Sequence, residues 1–265
     1  MSLPLTGLPR RTWLQGLAAS GLALATSACD RVVDKLNANR KVTGVIAKAE
    51  GLTYRSQRSL QGRMALAQEF TPADISKDFR ANGSIRPRDP AYQAHLKAGF
   101  ADYRLVIDGL VERPQALSLA DLRAAPARTQ ITRHDCVEGW SSIGQWTGAR
   151  LSPLLDRAGV KPEARYLVFH CFDSLDESAG ELGRYYESID LIDAHHPQTI
   201  LAYAMNGRPL PVAHGAPVRL RVERQLGYKH AKYLARIEAV ADFSHISGGK
   251  GGFWEDRGYE WYAGI

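Results

Sequence analysis

Cys136 stands in the stretch 133–140, Arg-His-Asp-Cys-Val-Glu-Gly-Trp. A cysteine beside Arg133 and His134 and ahead of a glycine turn has the electropositive setting that favours thiolate. Thiolate is both a nucleophile and a soft ligand for transition metals. A buried structural cysteine is the other reading, and the commonest state of a free cysteine. A second concentration of chemistry lies at 214–219 and 227–232, where His214, Arg219, Arg221, Lys229 and Lys232 gather around Gly227. Strand alternation sends Arg219 and Arg221 to one face. Arginine and lysine around a glycine turn suit a phosphate held by charge-assisted hydrogen bonds, although a solvated basic face would have the same composition. His134, Cys136, His170 and Cys171 are natural zinc ligands. However, His170 and Cys171 are adjacent, and an extended strand points neighbours apart.

Several common chemistries are missing. There is no His-Glu-x-x-His and no Gly-x-x-x-x-Gly-Lys-Ser/Thr loop. The run from Gly139 to Gly144 is one residue too long for Gly-x-Ser-x-Gly. No Cys-x-x-Cys-His occurs to attach a haem covalently. The glycine cluster at 248–252 reads as a flexible terminal loop, with bending around a phosphate as the alternative.

The elements that must position these residues are short and varied. Strands are predicted at 103–107, 129–132, 165–171, 217–222 and 233–240. Ser118 starts a capped helix that ends near Pro126, and 151–158 forms an amphipathic helix stopped by Gly159. A further helix start is read at 188–194. This succession lacks a βαβ rhythm and predicts an α+β fold with a mixed sheet. The 265 residues, 45% apolar and 23% charged, suffice for a hydrophobic core and exclude a disordered or fibrous chain. Three cysteines are too few for a disulfide scaffold. The net charge of +6 is interleaved and does not call for nucleic acid.

The N-terminus reads as an address. Arg10 and Arg11 precede an apolar run from Gly16 to Ala28 that would span roughly 20 Å as a helix, too short for a bilayer core of about 30 Å. The arrangement resembles the twin-arginine export signal, which moves folded proteins, and predicts a periplasmic location. Residues 26–29, Thr-Ser-Ala-Cys, resemble a lipoprotein cleavage site, so acylation of Cys29 and cleavage to a soluble protein both stand. Residues 29–78 are expected to form a tether or covering arm, and 79–265 the main domain.

Between Phe79 and Val240, ordered blocks resemble the sulfite oxidase family of molybdenum–molybdopterin enzymes. They are Asn82-Gly83, 111–114 (Val-Glu-Arg-Pro), 136–141 (Cys-Val-Glu-Gly-Trp-Ser), 201–207 (Leu-Ala-Tyr-Ala-Met-Asn-Gly) and 214–219 (His-Gly-Ala-Pro-Val-Arg), followed at family spacing by Gly227 and Lys232. Cys-Val-Glu-x-Trp-Ser and the Gly-Tyr-Lys turn are most similar to the periplasmic protein-methionine-sulfoxide reductase catalytic subunits. The resemblance implies that Cys136 ligates molybdenum and that Glu138 faces the substrate. It implies that Asn82, His214, Arg219, Gly227, Lys229 and Lys232 hold the pterin and its phosphate, with Cys171 on a strand end lining the same pocket. A local salt bridge with Arg133, or a hydrogen bond from a backbone donor, is the alternative role of Glu138.

The implied activity is oxygen-atom transfer to or from a small sulfur or nitrogen oxide or methionine sulfoxide. A separate membrane haem protein or cytochrome would exchange electrons with an otherwise monomeric enzyme. Sulfite dehydrogenase and a non-catalytic pterin-binding relative are the alternatives. Ala81 stands where sulfite oxidases place an arginine before the asparagine, which removes a cation expected near an oxyanion.

Overall fold

A computed structural model describes residues 51–52, 54–58 and 62–265. Packing divides the chain into Met1–Ser56 and Gln57–Ile265, and every element named here lies in the second unit. Residues 1–28, where an export signal is expected, and Cys29 lie outside the described residues. Residues from Gln57 onward belong to the body: Arg58 pairs with Asp190 and Asp193 at 2.8 Å, and the Phe70 N–H donates to the Ile131 carbonyl at 2.9 Å.

Local signals start and stop many elements. The Asp89 carboxylate accepts from the N–H groups of Ala91 and Tyr92 and opens helix α1 (Pro90–Lys97). Strands β1 (Leu105–Gly109) and β2 (Gln115–Leu117) follow. Ser118 and Asp121 form a reciprocal capping box that starts α2 (Leu119–Ala124). A long hairpin of β3 (Ala127–Asp135) and β4 (Ser141–Arg150) leads into α3 (Leu151–Ala158). Leu151, Leu154, Leu155 and Ala158 recur at helical spacing and are all buried, and Gly159 ends α3 at a φ of 69°. Then come β5 (Tyr166–Ser174), β6 (Arg184–Asp190), α4 (Leu191–Ala194), β7 (Ile200–Met205), β8 (Arg208–Pro209), β9 (Arg219–Arg221) and β10 (Leu234–Val240).

The strands form two sheets. One runs β2-β1-β10-β5-β6, with β1 and β10 parallel and the other pairs antiparallel. The other runs β3-β4-β7-β8, with β9 paired to β7, and is antiparallel throughout. Mixed sheets with few short helices make this an α+β fold. Leu105, Ile107, Leu167, Phe169 and Ile237 share the main core with α3. Burying each such side chain stabilises by roughly 1.5–3 kcal/mol. Trp146, Ile200, Ala202, Met205 and Leu210 form a second cluster, against which Phe79 packs.

Three expectations are corrected. The helix start read at 188–194 comes at Leu191 and not at Ser188: residues 188–190 close β6, and the capping residue is Asp190, whose carboxylate accepts from Asp193 N–H. Strand β4 has no counterpart in the predicted elements. The 248–252 glycines are not a loose loop: the N–H groups of Gly248 and Lys250 donate to Asp256 at 2.9 Å, and Gly251 and Gly252 are buried.

Candidate active site

The β3–β4 turn positions Cys136. Asp135 pairs with Ser141 at the hairpin end, the Cys136 N–H donates to the Trp140 carbonyl, and the Gly139 N–H donates back to the Cys136 carbonyl, both at 2.9 Å. Gly139 adopts a φ of 85°, a region that disfavours a side chain. Arg133 is engaged with Asp135 at 2.9 Å rather than with Cys136 or Glu138. The Glu138 carboxylate instead accepts from Trp140 Nε1 at 3.0 Å. Arg80 lies over the Trp140 ring, 5.6 Å from its centroid.

Burial pushes the Cys136 thiol up, and the Glu138 carboxylate adds to the effect. The Glu138 backbone N–H and Arg80 oppose it. The expected thiolate-favouring setting is thereby corrected, because desolvation outweighs the nearby cations. His134 does not supply a cation. Burial and Arg221 drive its pKa well below the usual value, and its Nδ1 lies 3.0 Å from Arg221 Nη1, which can only donate. A metal arriving at Cys136 must displace the thiol proton.

Cys136 lines a cavity of about 310 Å³. Asn82, Glu138 and His214 share its wall, as do Arg219, Gly227 and Lys232. Asn82 donates from Nδ2 to Cys136 Sγ at 3.1 Å. An isolated β-bridge sets Arg219 beside Lys232. Burial and neighbouring cations lower both, Arg219 to about 9 and Lys232 to about 8. Burial, Arg219 and Lys232 also bring His214 down to about 4. Arg219 donates to the carbonyls of His214 and His230 at 3.0 Å, while Lys232 donates to those of Asn82, Ser84 and Ala213. The two cations therefore stitch together the loops carrying Asn82 and His214.

Two predicted residues are not on this wall. Cys171 is buried in the main core, where desolvation raises its thiol well above the usual value. Asp173, one alternation further along the same face of β5, lines the cavity and accepts from Ser84 Oγ at 2.5 Å. Lys229 is fully buried in a triad, 2.6 Å from Glu187 and also paired with Glu255. Composition had offered a phosphate cation, but two buried carboxylates claim it. The zinc ligands also fail to converge: His170 contacts Glu238 at 2.9 Å while Cys171 points into the core. Among the described residues, no group of three or more His, Cys, Asp and Glu is arranged to hold a metal.

Sequence reading missed Arg80, Asp173 and Tyr185 on the cavity wall; Trp254 and Tyr259 also line it, on a tail for which packing on the core and roofing of the cofactor both stood open. The alternation of β5 could have reached Asp173. No local signal marks the others.

The family model described as the oxidoreductase molybdopterin binding domain matches residues 92–245, more than half of the chain. The chain belongs to this family. It carries the oxidoreductase molybdopterin-binding domain in an α+β fold with mixed sheets. A curated relative from Azospira oryzae, "Putative protein-methionine-sulfoxide reductase subunit YedZ1", is 40% identical over 164 residues, which make up 62% of this chain and 56% of that protein. The chain thus spans little more than half of that relative. The crystal structure of the sulfane dehydrogenase SoxCD from Paracoccus pantotrophus is 28% identical with a TM-score of 0.47, covering 54% of this chain and 39% of that one.

The residues present suit the molybdopterin cofactor that the family implies. Two buried polar atoms on cavity-lining side chains, Arg219 Nε and His230 Nδ1, have no hydrogen-bond partner among the described residues. One is a donor. The other is an acceptor, because His230 Nε2 is engaged with the Gln225 carbonyl at 2.9 Å. Such atoms are costly unless a ligand satisfies them. Gly227 permits close approach, since a Cβ there would fall 2.6 Å from His134 Nε2. Cys136 supplies the single sulfur on the wall among the described residues.

Proposed function

We propose that this chain binds a molybdenum–molybdopterin cofactor, with Cys136 as the protein ligand to the metal, and reduces a sulfoxide-type substrate by oxygen-atom transfer. The observation that carries the reading is the presence of Cys136, Arg219 and Lys232 on one cavity. When bound, the cofactor supplies two-electron oxygen exchange with a substrate lone pair, and the protein supplies ligation, orientation and charge compensation. Asn82 would orient the sulfur of Cys136. Arg219, Lys232 and His214 would hold the pterin and its phosphate, and His230 Nδ1 would accept from a pterin N–H. Glu138 would face the substrate, its carboxylate held by Trp140.

The direction of transfer is supported by the 40% identity to a protein named as a methionine-sulfoxide reductase subunit. The negative charge of Glu138 also raises the cost of bringing an anion such as sulfite toward Cys136, whereas a neutral sulfoxide meets no such repulsion. Sulfite oxidation is the second reading, favoured by Arg80, which places a cation on the cavity wall despite Ala81. The pair Arg10-Arg11 ahead of an apolar run supports export by the twin-arginine route to the periplasm, with Cys29 acylated or removed during maturation. Electrons would come from a separate redox protein.

Metal and pterin analysis of protein from a cofactor-competent host tests the cofactor, and only traces of molybdenum would refute it. Dye-linked sulfoxide reduction set against cytochrome-linked sulfite oxidation tests direction, and turnover of sulfite alone would reverse it. The variant Cys136→Ser should lose turnover while keeping its fold and much of its pterin.

A further inference from the structure

The family match stops at residue 245, yet the cavity wall continues beyond it in Trp254 and Tyr259. These rings stack on each other, 5.2 Å between centroids at 26°, and Tyr259 meets Tyr228, another wall residue, edge-on at 5.3 Å. The segment bearing them is pinned along its length. Glu255 is buried against Lys229, which also holds Glu187. Asp256 accepts from Tyr186 at 2.7 Å and from the backbone of the preceding glycine cluster. Trp261 donates to Ser188 at 2.8 Å, and Tyr228 donates to the Glu260 carbonyl at 2.7 Å. Tyr259 nevertheless remains 38% exposed, so the stack reaches from the cavity wall to solvent.

The face of a stacked ring offers no hydrogen bond to an inorganic oxyanion; only the ring edges carry donors, the Trp254 indole N–H and the Tyr259 hydroxyl. The face does bind apolar groups and the sulfur-bearing carbon chains of organic sulfur compounds. We propose that Trp254 and Tyr259 are specificity-determining residues that select sulfoxides bearing a bulky apolar or aromatic substituent over small sulfoxides. This rests on the sulfoxide reductase reading. The stack takes the substituent, while the sulfur–oxygen group turns inward toward Cys136.

The test uses the cofactor-loaded protein and the variants Trp254→Ala, Tyr259→Ala and Trp254→Phe. The kcat/KM ratio of methyl p-tolyl sulfoxide to dimethyl sulfoxide is measured with a reduced dye donor. Calorimetry then measures binding of methyl p-tolyl sulfone, which has the same aryl group but no sulfur lone pair. Either alanine variant should lower the ratio about tenfold and weaken the sulfone by a similar factor, the size expected for one aromatic contact. Trp254→Phe should restore most of both. An unchanged ratio with unchanged sulfone binding would overturn the inference, as would loss of pterin with the ratio preserved, which would assign the stack to the cofactor. Wild-type protein that reduces neither sulfoxide would instead remove the reductase reading and this inference together.

Discussion

Asn82 donates to the sulfur of Cys136 at 3.1 Å from a position 54 residues away in sequence. A donor of this kind fixes the direction of the sulfur lone pairs and stabilises charge on the sulfur. Such supporting contacts typically alter metal affinity by about 10–100-fold. Asn82→Ala should therefore shorten the retention of molybdenum under chelator challenge by at least about tenfold, with far-UV circular dichroism unchanged. Retention equal to wild type would show that the contact does not tune the ligand.

Lys229 is the cation between the buried carboxyl groups of Glu187 and Glu255, so its removal is a matter of stability. Breaking a buried ion pair costs roughly 3–5 kcal/mol. Lys229→Ala should shift the urea midpoint sharply, while the protein that still folds keeps wild-type pterin content. The opposite pattern, wild-type stability with pterin lost, would return Lys229 to the cofactor.

Glu187 gives that triad a pH signature. Burial first, and then Glu255, raise its carboxyl well above the ordinary 4.5. The folded chain thus keeps a proton that the unfolded chain releases. This contribution is complete below 4.5 and declines as pH rises toward the raised value. Lys229, itself raised from 10.5, contributes stability that is lost only at more alkaline pH. The variant Glu187→Gln keeps the neutral shape, so its urea midpoint should fall less than that of wild type as the pH rises above 4.5. Parallel curves for the two proteins would contradict the shift.

How far the chain announces this arrangement depends on whether a feature is local. Helix α3 was legible because Leu151, Leu154, Leu155, Ala158 and Gly159 form a local code. Strand β4 was hidden by glycines that argue against a strand. Those glycines are what its packing requires. A Cβ on Gly148 would fall 2.3 Å from the Leu201 carbonyl oxygen, and one on Gly144 would fall 3.1 Å from Phe79. The ordered blocks around Cys136 and Arg219 converge on one cavity, where Asn82, Glu138, His214, Gly227 and Lys232 all line the wall. Lys229 lies off that wall: in sequence, a cation suited to phosphate and one suited to buried carboxylates look alike until Glu187 and Glu255 are placed. Trp254 and Tyr259 depend on long-range docking that no local pattern records.

Lys232 should make cofactor retention alkali-sensitive. Burial, reinforced by Arg219, holds its pKa at about 8, and only the protonated form attracts a phosphate. A bound anion raises that value, so pterin loss should accelerate from about 8 upward. Lys232→Arg keeps its charge throughout and should flatten the profile, as read from pterin fluorescence released with time. Identical profiles would exclude Lys232 as the titrating group.

Gly227 is held close to His134, with no room for a methyl group at 2.6 Å from Nε2. Gly227→Ala should push the imidazole and its Arg221 contact out of place and cost about 1–3 kcal/mol, the usual penalty of overpacking. Thermal unfolding would measure this, and an unshifted midpoint would mean that the turn yields instead.

The cavity draws its wall from positions as far apart as Phe79 and Tyr259. A growing polypeptide presents Asn82 and Cys136 to the cell while Trp254 has yet to leave the ribosome. The wall is incomplete until Tyr259 has joined it, so a chain that has grown only as far as Lys232 holds part of the hollow and not the whole.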